Sequence, residues 1–200
     1  MGSTAKVLLV AGIAGVLGAG LGIWLNGPGP LLRTEAGQRV LQDAIAATAP
    51  APPPGLVVAS RGAPVPVIEL PALDGKPVRL PSAYPGRPVL INLWASWCGP
   101  CIKEMPELDR YAASQGTTGT QVVGIALDDA DAVQAFLQRV PVRYPILLER
   151  PGPRDAGVQL GNPKGVLPYT ALVSAQGRLL KQKIGPFEPG ELEEWVRSAH

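Results

Sequence analysis

The chain has two cysteines, three residues apart in Cys98-Gly99-Pro100-Cys101. A structural disulfide stabilises mainly by closing a long loop in the unfolded chain, and this pair would close almost none. A structural zinc site takes about four Cys or His ligands, and the only histidine is His200. The same shortage argues against a Cys–His nucleophile pair. What the spacing fits is a pair that cycles between dithiol and disulfide, with no metal and no cofactor.

The residues on either side strengthen that reading. Val89-Leu90-Ile91-Asn92-Leu93-Trp94-Ala95 is almost continuously apolar, as a strand covered on both faces should be. An amphipathic helix carrying Cys101, Met105, Leu108 and Tyr111/Ala112 follows, and Gln115-Gly116 ends it. A cysteine at this junction sits at the helix N-terminus. Unpaired amides and the positive end of the helix dipole there stabilise a thiolate and lower its pKa. Cys98 is therefore expected to be the exposed nucleophile. Cys101, one turn further in, is expected to be shielded and to resolve the mixed disulfide. Gly99 leaves room for a partner's backbone, and Pro100 fits the first turn, where its missing N–H costs nothing.

The elements that must hold this junction can be read along the chain. Val67 to Leu70 and Val78 to Leu80 flank Asp74-Gly75 as a hairpin. Val122 to Leu127 is a second buried strand. Asp128-Asp129-Ala130-Asp131 opens a helix with Val133, Phe136, Leu137 and Val140 on one face. Those acidic residues are read as caps rather than a cation site. Tyr144 to Leu148 is a further strand, followed by a loop and short helix leading to Pro168. Thr170 to Ser174 and Arg178 to Ile184 bracket Ala175-Gln176-Gly177 as an antiparallel hairpin. Pro189 is expected to begin a last helix with Leu192, Trp195, Val196 and Ala199 facing inward. Strand–helix–strand–helix, then hairpin, then helix predicts an α/β sandwich with a mixed central sheet.

Before this domain the composition differs. Val7 to Leu25 is an uncharged run of 19 residues. As a helix it would be about 28 Å long, close to the hydrocarbon thickness of a bilayer. Trp24 stands where an interfacial aromatic belongs, and Lys6 predicts a cytoplasmic N-terminus. A cleaved signal peptide is the competing reading, but the run is long for one and no A-x-A-like site directly follows it. Gly18 and Gly22 have GxxxG spacing, which in so glycine-rich a run says little. The expected organisation is a transmembrane signal-anchor over residues 1–25, a Pro/Ala/Gly-rich stalk over 26–60, and an α/β domain over 61–200. Within the stalk, Thr34 to Ala47 is a candidate short helix, and Ala49 to Gly55 reads as an extended spacer.

Charge excludes one class of function. Lys plus Arg number 18 against 16 Asp plus Glu, without the clustered basic face of a nucleic-acid binder. Lys181 and Lys183 share one side of a strand and are read as charges guarding a sheet edge.

Trp94-Ala95-Ser96-Trp97-Cys98-Gly99-Pro100-Cys101 resembles the active-site stretch of the thioredoxin superfamily, and the likeness runs from about Ala63 to Val196. Cys101, Glu104 and Pro106 match the CxxExP pattern of its TlpA/ResA-like branch of extracytoplasmic, membrane-tethered proteins. The hairpin before the central strand resembles that branch's N-terminal extension. The resemblance implies a thioredoxin-like α/β/α sandwich preceded by a transmembrane helix. It implies that Pro168 is a cis-proline facing the disulfide, and that the Leu167 backbone pairs with a substrate strand. Asn92 stands where thioredoxin has a buried Asp, and an amide cannot accept a proton. Glu104, one turn beyond Cys101, is the implied replacement, a carboxylate able to take the Cys101 proton. Trp94, Trp97 and Pro106 are read as shape: packing below and beside the site, and a kink in the helix.

The implied activity is reduction of specific protein disulfides of the CxxC type, in apocytochrome c or in the copper site of a terminal oxidase. The implied setting is the periplasmic side of the bacterial inner membrane, with a membrane thiol-electron transporter keeping the pair reduced. The Gly-Pro dipeptide is thioredoxin's, a reductant at about −270 mV. A thiol oxidase or isomerase remains open, as does a Cu(I) chaperone, although the sequence offers no third ligand for it, Met105 being the one methionine besides the initiator and His200 the last residue. A peroxidase fits less well, since no Thr precedes a lone cysteine at the required spacing.

Overall fold

Continuous apolar runs become central strands, and the 3.6-residue stripes become the helices that cover them. A computed structural model describes Val7, Val10 and residues 29–199. The elements are α1 (Gly29–Arg33), α2 (Glu35–Ala47), β1 (Ile68–Pro71), β2 (Pro77–Leu80), β3 (Val89–Trp94), α3 (Gly99–Ser114), β4 (Gln121–Leu127), α4 (Ala130–Arg139), β5 (Ile146–Glu149), α5 (Ala156–Gln159), β6 (Tyr169–Val173), β7 (Leu179–Ile184) and α6 (Glu191–Arg197). The chain divides after Asp43. On the N-terminal side of that point, Thr34 Oγ1 accepts from Gly37 N at 3.0 Å, a cap that explains why α2 starts at Glu35. Among the described residues no helix is long and apolar enough to cross a membrane. The span expected over Val7 to Leu25 lies, apart from Val7 and Val10, outside the described residues.

From Ala44 onward the fold is a five-stranded sheet in the order β5-β4-β3-β6-β7, with β1 and β2 as a separate antiparallel pair. Strands β3, β4 and β5 are parallel; β6 runs antiparallel to β3, and β7 antiparallel to β6. The sheet is mixed, as the sequence order predicts. Two successive right-handed crossovers in one direction put α3 and α4 on the same face. There Met105, Leu108, Val133 and Phe136 pack with Leu90, Trp94, Val122 and Ala126, joined by Leu192 and Val196 of α6.

The opposite face departs from a full α/β/α sandwich. Among the described residues from Ala44 onward its only helix is the four-residue α5. Ile68, Leu70 and Leu80 of the hairpin, together with Ala59 and Val65, fill the rest against Ile91, Leu93, Ile125 and Leu147. The Pro-rich segment read as a spacer therefore meets the domain before residue 61. Ala59 N donates to Gln159 O at 2.8 Å, and Arg154 Nη2 to Pro54 O at 2.9 Å.

Two expected features change. Lys181 and Lys183 lie on the edge strand β7 but face inward, 5% and 1% exposed, beneath α6. Alternation gave their common side correctly, but not which side is covered. Pro189 does not begin the last helix: Gly190, at φ 82°, precedes Glu191 as its cap.

Gly124 shows how tightly the helical face is filled. A Cβ there would lie 2.6 Å from Ile146 Cδ1 and 3.1 Å from Trp94 Nε1. Gly124→Ala is expected to cost about 1–3 kcal/mol through overpacking. A urea midpoint that falls at unchanged slope checks this, and an unchanged midpoint would mean the site has room.

Candidate active site

The end of β3 and the start of α3 meet at the two cysteines. Cys98 is the N-cap of α3, in extended backbone (φ −84°, ψ 97°), and Cys101 N donates to its sulfur at 3.3 Å. Pro100 occupies the first turn, as expected for a residue without an N–H. The two sulfurs are joined as a disulfide, with Cα atoms 5.3 Å apart. Cys101 is fully buried and Cys98 is 5% exposed, so the nucleophile expected at the surface shows only a small window. Gly99 and Pro100 beside it are exposed. Nothing lies within 4 Å of a Cβ placed on Gly99.

The two tryptophans behave differently. Trp94 is buried under the site, its ring 5.3 Å from that of Phe136. Trp97, expected to pack beside the site, is 71% exposed and stands free next to Cys98. It follows the end of β3, so no strand period fixes its side.

The loop between them is held by a residue the sequence reading assigned elsewhere. Asp128 Oδ2 accepts from Ser96 N at 3.0 Å and from Ser96 Oγ at 2.5 Å. Partial burial opposes the charge on Asp128, but the bonds from Ser96 and Asp129 outweigh it and hold the carboxyl below its usual range. Asp129, the N-cap position of α4, makes no side-chain cap bond. The acidic cluster thus serves the Cys98 loop more than the helix it precedes.

Below the cysteines lies a buried carboxyl. Glu104 is 1% exposed, on α3 three residues past Cys101, and so on the same side of the helix. Asn92 Nδ2 donates to Glu104 Oε1 at 2.8 Å and to Thr170 Oγ1 at 3.0 Å. Phe187 N donates to Glu104 Oε2 at 2.9 Å. Burial raises the Glu104 pKa to about 7 despite these bonds, which favour the charge. Asn92 Oδ1 has no partner among the described residues. Turned over, the same amide would present that oxygen to a protonated Glu104, so Asn92 suits both charge states. Two residues further along α3, Pro106 has no N–H to offer the Ile102 carbonyl.

The third part is the loop entering β6. The Leu167–Pro168 bond is cis. Tyr169 pairs with Leu93, so Pro168 lies one step beyond, at the end of the sheet where Trp94 and the Cys98 loop begin. Leu167 is partly buried against the cluster that holds both cysteines. Asn162 braces this loop from within: its Nδ2 donates to Val166 O at 2.9 Å, and its Oδ1 accepts from Val166 N at 3.0 Å.

The arrangement brings Cys98, Cys101, Glu104, Trp94 and Pro168 to one end of the sheet. Its additional members, Ser96 with Asp128, Asn92 with Thr170 and Glu104 with Phe187, are paired across 32, 78 and 83 residues. No local pattern announces them. Chemically it offers two sulfurs able to exchange with an external disulfide and a buried group able to hold a proton near neutral pH.

A family model described as Redoxin matches residues 60–196. The thiol-disulfide oxidoreductase ResA of Bacillus thuringiensis subsp. konkukian is 27% identical over 128 residues, 62% of this chain and 70% of that protein. The sporulation thiol-disulfide oxidoreductase A of Bacillus subtilis is 26% identical over 128 residues, 62% of this chain and 74% of its own. Among solved structures, a thioredoxin-related protein from Neisseria meningitidis serogroup B superposes with a TM-score of 0.57 at 34% identity, covering 66% of this chain and 98% of that one. With the family match spanning well over half its length, the chain belongs to the Redoxin family, and within the thioredoxin superfamily it is a TlpA/ResA-like thiol–disulfide oxidoreductase.

Proposed function

We propose that the chain is a membrane-tethered, extracytoplasmic reductase of specific protein disulfides, with Cys98 as nucleophile, Cys101 as resolving thiol and Glu104 as the proton acceptor. The observation that carries this reading is the buried Glu104 carboxyl one turn beyond Cys101, poised near neutral pH.

The cycle begins with both cysteines reduced. The Cys98 thiolate, stabilised by the start of α3, attacks one sulfur of a client disulfide and expels the other as a thiolate. Glu104 then takes the Cys101 proton. The Cys101 thiolate attacks the Cys98 sulfur, releasing the client's second thiol and leaving the Cys98–Cys101 disulfide. Two electrons pass from the chain to the client. Leu167, ahead of the cis Pro168, is the backbone that would pair with the client strand, with Trp97 exposed next to Cys98.

Three features support the setting. The apolar run Val7 to Leu25 has the length of a membrane anchor, and Lys6 favours a cytoplasmic start. The Gly99-Pro100 pair is that of the reductant thioredoxin. A reductant outside the cytoplasm needs electrons delivered to it, which calls for a membrane thiol-electron transporter. The clients that fit are CxxC-type disulfides, as in cytochrome c maturation or oxidase copper-site assembly.

Equilibrating the Cys98–Cys101 pair with glutathione tests the direction of transfer. The expected potential is near thioredoxin's, about −270 mV; a value near −120 mV overturns the reductase reading and makes the chain a thiol oxidase.

A further inference from the structure

A lysine that is 1% exposed is rare, and Lys183 is tied to Glu104 by three separate features of the fold. The first is the sheet. Asn92 pairs with Thr170 across β3 and β6, and Thr170 with Lys183 across β6 and β7, so the three side chains share the face that α3 and α6 cover. Adjacent strands are about 4.8 Å apart, so Lys183 is rooted only two strands from the amide that holds Glu104.

The second feature is the loop between β7 and α6. Its Phe187 gives its N–H to Glu104 Oε2, while its ring lies under Lys183 Nζ at 5.2 Å. One residue is therefore gripped by the carboxylate through its backbone and by the ammonium through its side chain.

The third is Glu191, whose Oε1 is 2.7 Å from Lys183 Nζ and whose Oε2 accepts from Glu188 N at 2.9 Å. The fold thus holds one positive and one negative charge within electrostatic reach of Glu104, with opposite effects on it: Lys183 favours its charged form and Glu191 disfavours it. Other polar groups facing this region are differently engaged. Lys181 on β7 is bound to Trp195 O and Ser198 Oγ. Glu107 on α3 pairs with Arg110 and accepts from Gly190 N. The Tyr144 phenol, ahead of β5, is kept neutral by burial, and α4 presents the apolar Val133, Phe136 and Leu137 to this face.

We propose that Lys183 and Glu191 are a pair of positioning residues that set the charge state of Glu104 from opposite directions, Lys183 favouring the carboxylate and Glu191 the carboxylic acid. The consequence for turnover rests on the reading of Glu104 as the proton acceptor. The pair also fastens α6 to the sheet through the Lys183–Glu191 ion pair.

The test titrates the Glu104 carboxyl by carbon-13 NMR in the full chain with the disulfide formed, using Glu104→Gln to assign the signal. Lys183→Met is expected to raise the midpoint by about half a pH unit or more, and Glu191→Gln to lower it. Lys183→Arg should restore it close to that of the parent. Shifts in the same direction for both variants, or none, overturn the proposal. If Lys183→Met does not fold, Glu191→Gln decides alone, since Glu191 is partly exposed: a lowered midpoint supports the proposal, and an unchanged or raised one overturns it. The acidic limb of the insulin-reduction rate should move with each midpoint. Midpoints that part as expected while that limb stays fixed uphold the control of Glu104 by this pair and overturn Glu104 as the proton acceptor.

Discussion

Replacing Cys101 by alanine stops turnover and leaves Cys98 joined to its clients by mixed disulfides that survive purification. The expectation follows from which sulfur can be reached. Cys98 has the only window to solvent and stands next to exposed Gly99, Pro100 and Trp97, whereas Cys101 is completely covered. An incoming disulfide meets Cys98, and without Cys101 the mixed disulfide has no internal attacker to release it. The loss of one small buried side chain leaves α3, with its Met105 and Leu108 anchors, able to form, so the variant should stay folded. Cys98→Ala is the control and should capture nothing. Equal capture of the same proteins by both variants would reverse the assignment of attacking and resolving thiol. The captured proteins, identified by mass spectrometry, would also name the clients.

What the sequence made legible was whatever rests on local period and on residues with unusual backbone demands. The unbroken run from Val89 gave β3, and the stripe through Cys101, Met105 and Leu108 gave α3 with its end near Gln115. Asp74-Gly75 gave the β1–β2 turn, since Gly75 takes φ 80°. What stayed hidden depends on which elements cover which. Alternation put Lys181 and Lys183 on one side of β7, but only the return of α6 over that side makes it an interior. Asp128 looks like a helix cap in sequence, and its partner Ser96 lies 32 residues away on a loop whose path no period describes. Ala59 reads as the end of the stalk because it lies between the proline run ending at Gly55 and the first strand, yet its amide bonds to Gln159 and its methyl joins the core. At the site itself, Glu104 was legible through the resemblance of Cys101, Glu104 and Pro106 to the CxxExP pattern. The two donors that hold it, Asn92 and Phe187, come from β3 and from a loop 83 residues on.

Glu104→Gln is expected to make the protein more stable and a worse catalyst, and the two effects have one cause. In the folded chain burial lifts the Glu104 pKa from 4.5 to about 7. A carboxyl raised in this way favours folding most when it is protonated in both states, below about pH 4.5. Its contribution is lost as pH rises through 7, because the folded chain must then hold a charge that the unfolded chain solvates freely. A rise of this size amounts to on the order of 3 kcal/mol by pH 8. Glutamine has no proton to lose. Its carbonyl can still accept from Phe187 N, and its amide can donate to Asn92 Oδ1, the oxygen now without a partner, once the Asn92 amide turns over. The variant should therefore match the parent near pH 4 and exceed it by a few kcal/mol at pH 8, measured by urea unfolding at both pH values. Resolution of the mixed disulfide should slow by about 10²-fold or more, the usual worth of a general base, with the loss largest above pH 7 where the parent's Glu104 is charged. A variant destabilised at pH 8 and undiminished in rate would reduce Glu104 to an anchor for the Phe187 loop. The expected combination instead means that the fold tolerates a costly charge because the exchange of Cys101 for Cys98 needs somewhere to put a proton.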